Sequence, residues 1–156
     1  MATLTGRCPC GTIHYSLTDR PLFVHACHCR WCQRESGSAF AMNGIIEASM
    51  VEVSGTPVWI NTPSESGKGQ RFARCPDCQV ALWSVYSGAG DRFWFLRIGT
   101  LDNPDACPPD IHIFTESKQP WVVLPDNVPV MALYFRRSEH WPDWALARRQ
   151  AALDLA

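Results

Sequence analysis

Seven of the eight cysteines fall into short-range groups: Cys8-Pro9-Cys10, Cys27-His28-Cys29-Arg30-Trp31-Cys32 and Cys75-Pro76-Asp77-Cys78, with Cys107 alone. A C-x2-C turn aims two sulfurs at one point, and four thiolates at ~2.3 Å around a tetrahedral Zn(II) are a common use of such turns. Cys27, Cys29 and Cys32 lie within six residues, so they must serve one ion. Cys8 with Cys10 and Cys75 with Cys78 then complete a closed four-cysteine site. Closed four-thiolate sites are structural, whereas three protein ligands beside an open position are the pattern of a catalytic metal. The spacing therefore predicts two zinc ions per chain, one structural and one catalytic, with Cys27, Cys29 and Cys32 as the catalytic set.

Other residues compete for the open position. His28 lies between two cysteines and His25 just before them, but the middle residue of a C-x-C unit points away from its neighbours, which makes His28 a surface group or a support behind the ligands. Cys107 reads as a small buried hydrophobe. His112, in Ile111-His112-Ile113-Phe114, reads as hydrogen-bonded structure. Trp31, Trp83, Trp94, Phe95 and Trp121 could wall a ligand pocket, yet their strand context assigns most of them to the core. Arg30, Arg34, Arg74 and Arg97 are candidates for gripping a ligand carboxylate or for solvated surface charge.

The elements that must position these groups are mostly short strands. Ile13, Tyr15 and Leu17 alternate on one face of Thr12 to Leu17, the pattern of a half-buried strand. Further strands are expected at Leu22 to His25, Ala39 to Ile46, Met50 to Val53, Val58 to Ile60, Arg71 to Arg74, Val80 to Tyr86, Arg92 to Ile98 and Ile111 to Phe114, separated by Gly, Pro, Asp and Ser turns. The long helices of βαβ units are missing, so the class is mainly β and mostly antiparallel. Cys29 to Ser36 reads as one short helix closed by Gly37. The tail from Pro142 reads as a C-terminal helix with Pro at its first position and Trp141, Trp144, Ala145, Arg148 and Ala152 at helical spacing.

Composition bounds the rest. The chain has 156 residues, 46% apolar and 19% charged, with seven Trp and seven Phe. That suits one folded domain over 1-156 and excludes a disordered segment. A net charge of -1 removes the basic excess that drives binding to nucleic acid or anionic lipid. No apolar run approaches the ~20 residues of a membrane span, and the start, MATLTGRC, has no leader pattern, so a cytoplasmic location is expected. Clustered cysteines in a reducing compartment are metal ligands rather than disulfides.

Three segments resemble a known family. They are Gly6-Arg7-Cys8-Pro9-Cys10-Gly11, Cys27-His28-Cys29-Arg30-Trp31-Cys32-Gln33-Arg34-Glu35-Ser36-Gly37 and Arg71-Phe72-Ala73-Arg74-Cys75-Pro76-Asp77-Cys78. With Ile111 to Trp121, Asp126 and Pro129, they are similar to the glutathione-dependent formaldehyde-activating enzymes, a family shared with centromere protein V, over roughly residues 6-131. The resemblance implies a β-tent zinc fold, with Cys8, Cys10, Cys75 and Cys78 as structural ligands and Cys27, Cys29 and Cys32 at the second zinc. It also implies condensation of glutathione with formaldehyde to S-hydroxymethylglutathione. The chain departs from the pattern at Gln79, where the family commonly has Gly, and in residues 132-156, a C-terminal extension outside the resemblance.

Two functions of different class follow. The first is a zinc-dependent carbon-sulfur lyase or synthase, in which a substrate thiol completes the three-cysteine site and attacks a small aldehyde. Three thiolates leave Zn(II) with net charge -1, which favours soft-ligand exchange over water activation. The alternative is a non-catalytic, zinc-stabilised binding module.

Overall fold

A computed structural model describes residues 3–88 and 90–155. Among the described residues ten strands are present: β1 (Leu4–Arg7), β2 (His14–Leu17), β3 (Phe23–Cys27), β4 (Ala41–Glu47), β5 (Val51–Ser54), β6 (Val58–Thr62), β7 (Gln70–Arg74), β8 (Ala81–Tyr86), β9 (Phe93–Arg97) and β10 (Ile111–Ile113). Three helices accompany them: α1 (Arg30–Ser36), α2 (Arg137–His140) and α3 (Asp143–Asp154). A three-stranded sheet runs β1-β2-β5, and a seven-stranded sheet runs β10-β3-β4-β9-β8-β7-β6. The expected mainly β, antiparallel class holds, with one exception, since β10 lies parallel to β3.

Strand positions follow the alternation in the sequence, with ends displaced by one or two residues. Leu4–Arg7 is an added strand that the hydrophobic pattern does not announce; it is defined by pairing with β2, Gly6 opposite Tyr15. The face bearing Ile13, Tyr15 and Leu17 is buried against Leu82, Trp83, Leu96 and Ile98. Trp83 and Trp94 stack there, with ring centroids 4.5 Å apart; Trp83 is core and Trp94 is partly buried against it. Full burial of an aliphatic side chain contributes about 1.5–3 kcal/mol, so this layer is a main source of stability.

A second apolar cluster packs Phe23, Ile45, Ile111 and Ile113 with Cys27, Cys29 and Cys32. Phe135, Trp141 and Ala145 come from the C-terminal segment to close it. Pro142 caps α3 rather than opening it, so the helix starts one residue later than its Pro suggested. Arg148 grips the buried Glu47 carboxylate through Nε and Nη2 at 2.8 and 2.9 Å, and it also pairs with Asp19. Trp144 lies on the outer side beneath the Arg20 guanidinium. No helix among the described residues is long and apolar enough to cross a membrane.

Both cysteine turns of the larger cluster end in a left-handed residue. After Cys8-Pro9-Cys10 this is Gly11 at φ 81°; after Cys75-Pro76-Asp77-Cys78 it is Gln79 at φ 62°. The turn is therefore kept without the glycine the family commonly has, closed by the Gln79 N–H donating to Cys75 O at 3.1 Å. A side chain in that region costs about 1 kcal/mol. Gln79→Gly is expected to raise stability by up to about 1 kcal/mol, a thermal midpoint about 2–4 °C higher by calorimetry.

Candidate metal centre

The larger cysteine cluster is built by two hairpin turns, one near the N-terminus and one in the middle of the sequence, that the fold brings together. Sγ atoms of Cys8, Cys10, Cys75 and Cys78 all lie within 4.8 Å of one another. The Cys8–Cys10 and Cys10–Cys75 separations are 3.4 and 3.5 Å. A tetrahedron with ~2.3 Å metal–sulfur bonds has edges of ~3.8 Å. Four sulfurs at this spacing fit one soft metal ion. The Ile13 N–H donates to Cys8 Sγ at 3.2 Å, and Thr12 Oγ1 donates to Asp77, joining the two turns directly.

The smaller cluster sits where β3 runs into α1. Cys27 ends the strand, Cys29 is the N-cap, and Cys32 lies in the first helical turn, donating its backbone N–H to Cys29 Sγ at 3.3 Å. Gly37 at φ 65° closes the helix after two turns. The three sulfurs lie within 4.8 Å of one another, and no other His, Cys, Asp or Glu among the described residues joins them. Hydrogen bonds from Cys27 and Cys32 draw the Cys29 thiol down, while its hydrogen bond with Cys29 pushes Cys27 up. A second thiolate at this spacing needs a cation among the sulfurs, so the donor set again fits a soft divalent metal ion. Both clusters can therefore hold a metal.

Cys107 is buried in the core cluster and its sulfur belongs to neither group. His28 does point away from the sulfurs, but it is fully buried rather than at the surface, with Nε2 3.0 Å from His112 Nδ1. Its backbone oxygen accepts from Gln33 Nε2 and Ser117 Oγ, so His28 and His112 brace the start of α1.

The four arginines divide. Arg30 and Arg34 line an outer groove of about 640 Å³ with Trp121, on the side of α1 opposite Cys32. Arg74 and Arg97 are instead both paired with Glu35 of α1. That carboxylate is 6% exposed, so both guanidiniums have a carboxylate partner within the protein, and all three side chains line one cavity of about 580 Å³. Arg74 also donates to Gln79 O at 2.9 Å, so one short chain of contacts joins α1 to the four-cysteine turn.

The relay continues toward β3. Arg97 Nη1 donates to Asn43 Oδ1 at 2.6 Å, and Asn43 Nδ2 lies 3.2 Å from His25 Nε2. Burial and then the Arg97 guanidinium hold His25 down to about 4. Glu35, Asn43 and the His25 contact were not recognised as site features in the sequence. The available signal was the two-residue spacing of His25 and Cys27, which sets both on one strand face.

The sequence profile of the glutathione-dependent formaldehyde-activating enzymes matches residues 3–117. A protein of Sordaria macrospora with that provisional name is 32% identical over 85 residues, covering 52% of this chain and 35% of its own length. One from Penicillium rubens is 29% identical over 79 residues, covering 49% and 41% respectively. The chain thus spans well under half the length of these curated relatives. A crystal structure of a Rhodobacter sphaeroides protein aligns over 81% of this chain and 98% of its own, with 14% identity and a TM-score of 0.49. With the profile covering most of the sequence and all seven clustered cysteines, the chain belongs to the glutathione-dependent formaldehyde-activating enzyme family.

Proposed function

We propose that this chain is a zinc-dependent carbon-sulfur lyase or synthase that interconverts glutathione plus formaldehyde with S-hydroxymethylglutathione or a related thiol adduct. The observation that carries the reading is the unequal pair of clusters: four cysteines in one, three in the other with no further ligand among the described residues. Cys8, Cys10, Cys75 and Cys78 hold the structural ion, and Cys27, Cys29 and Cys32 hold the reactive one, with residues 1–156 acting as a single domain. When bound, zinc supplies a soft Lewis acid that keeps a substrate thiol deprotonated at neutral pH.

In the synthetic direction a sulfur–carbon bond forms as the π pair of the aldehyde moves onto its oxygen. That oxygen takes up one proton, replacing the one lost by the thiol. Lysis is the reverse. The chain contributes a dry setting, because Cys27, Cys29 and Cys32 are buried beside Phe23, Phe135 and Ile113; a low-dielectric wall strengthens electrostatic interactions at the reacting atoms. The same burial favours one other reading, a non-catalytic, zinc-stabilised binding module. The zinc-loaded protein is expected to accelerate the exchange between glutathione, formaldehyde and adduct, followed by NMR exchange spectroscopy, over the spontaneous rate. No acceleration would leave the module.

Two further outcomes test the assignment of the clusters. Cys75→Ser should unfold or strongly destabilise the protein, because its site joins residues 65 apart and metal binding is coupled to folding. Cys29→Ser should retain the β-type circular dichroism and lose one zinc, since its three ligands are local. Equal thermal destabilisation by both would contradict the division. In the unmodified protein, a mild chelator should remove the zinc of the three-cysteine site first, with the fold retained. Harsher treatment should then take the second zinc and the fold together; a single cooperative release would exclude this order.

A further inference from the structure

His25 lies on the same face of β3 as Cys27, with Phe23 completing the row; Phe23 and Cys27 both pack in the cluster that holds the three cysteines, while the intervening Val24 packs on the opposite side. In register across the sheet, His25 stands between Ile111 and Asn43, and Asn43 stands opposite Arg97. One polar row thus runs beside the row that contains Cys27. The His25 ring packs against Phe95, with centroids 6.1 Å apart. It is buried, and its Nδ1 has no hydrogen-bond partner among the described residues.

The hydrogen bonds decide which nitrogen carries the proton. Arg97 has only donors, so the atom of Asn43 facing it must be the oxygen. The amide nitrogen of Asn43 therefore faces His25 and donates, and His25 Nε2 must accept. The ring proton is left on Nδ1, a buried donor that is costly to leave unpaired. Glu35 orients Arg97 from the other side. Such a donor, oriented from behind by three linked groups and set one row from a cysteine cluster, suits an oxygen that gains charge during reaction.

We infer that His25 Nδ1–H donates a hydrogen bond to the aldehyde-derived oxygen of the substrate, with Asn43, Arg97 and Glu35 as positioning residues that hold the ring in its donor tautomer. This rests on the lyase reading above. The interaction is weak to a neutral carbonyl and strengthens as the sulfur–carbon bond forms and the electron pair moves onto oxygen. It needs no change in the charge of His25. In the cleavage direction the same donor stabilises the same oxygen before the π bond is restored.

The test is Asn43→Asp in the zinc-loaded full chain. A carboxylate at this position still accepts from Arg97, but it must also accept from His25, which moves the ring proton to Nε2 and turns Nδ1 into an acceptor. Nitrogen-15 histidine NMR should report Nδ1–H in the unmodified protein and Nε2–H in the variant. The variant should keep its zinc content and its KM for glutathione while kcat for the exchange falls by roughly 10²-fold. His25→Asn, which retains a donor near Nδ1, should keep more of the rate than His25→Phe; if His25→Phe fails to fold, Asn43→Asp alone decides.

In the unmodified protein, saturation with glutathione and formaldehyde should shift the Nδ1–H resonance. An Nε2–H tautomer in the resting protein, or an unchanged kcat in zinc-replete Asn43→Asp, would overturn the assignment. Exchange activity without a shift in that resonance would also overturn it. A shift without any acceleration would instead remove the lyase reading and leave the donor contact in place. Neither shift nor acceleration would remove both.

Discussion

Everything in this molecule is arranged around the convergence of seven sulfurs on two points. Sulfurs from residues 8, 10, 75 and 78 lie within 4.8 Å of one another, and so do those from 27, 29 and 32. Thiols so close cannot all ionise unless a cation sits among them, and most strictly so at 27, 29 and 32, which are all buried. The two centres differ in what they ask of the chain. The first joins turns far apart in sequence and so constrains the global fold. The second is local and needs only that a strand end and a short helix meet at the correct angle.

That angle is maintained from both sides of α1. On one side, Gln33 and Ser117 bond the His28 carbonyl while His28 and His112 pair in the interior. On the other, Glu35 accepts from Arg74 and Arg97, which belong to strands of the large sheet. An ion triad around a buried carboxylate adds little net stability, since desolvation consumes most of the attraction, but it ties Glu35 of α1 to two strands at once. The helix that carries two sulfurs of the smaller cluster is thereby registered against the sheet that carries the third. Arg74 extends the same chain to Gln79 at the four-cysteine turn, so the two centres share a continuous polar contact.

The C-terminal segment completes the second apolar cluster although it lies beyond the matched residues 3–117. Phe23 stacks with Trp141 and tilts against Phe135, with centroids at 5.5 and 5.3 Å. Arg148 then neutralises Glu47 at the end of β4, a carboxylate that would otherwise be buried with its charge uncompensated. The tail therefore acts as a cover on the side of the large sheet that bears the smaller cysteine cluster.

By itself, the sequence determined the grouping of seven cysteines into four and three, each group able to hold a metal ion, and the mainly β class. These depend on residue type and on spacing over a few positions, where the chain has almost no freedom: a C-x2-C turn brings its sulfurs together in any fold, and alternation marks Ile13, Tyr15 and Leu17 as one face whatever they face. The short helix and its glycine stop were legible for the same reason. Only the tertiary structure decided the parallel pairing of β10, the strand Leu4–Arg7, the pairing of Arg74 and Arg97 with Glu35, and the row from His25 through Asn43 to Arg97. Each is set by strand register between distant segments. In sequence, Glu35 is 39 and 62 positions from the two arginines it holds, and nothing local distinguishes such a buried carboxylate from one exposed to water.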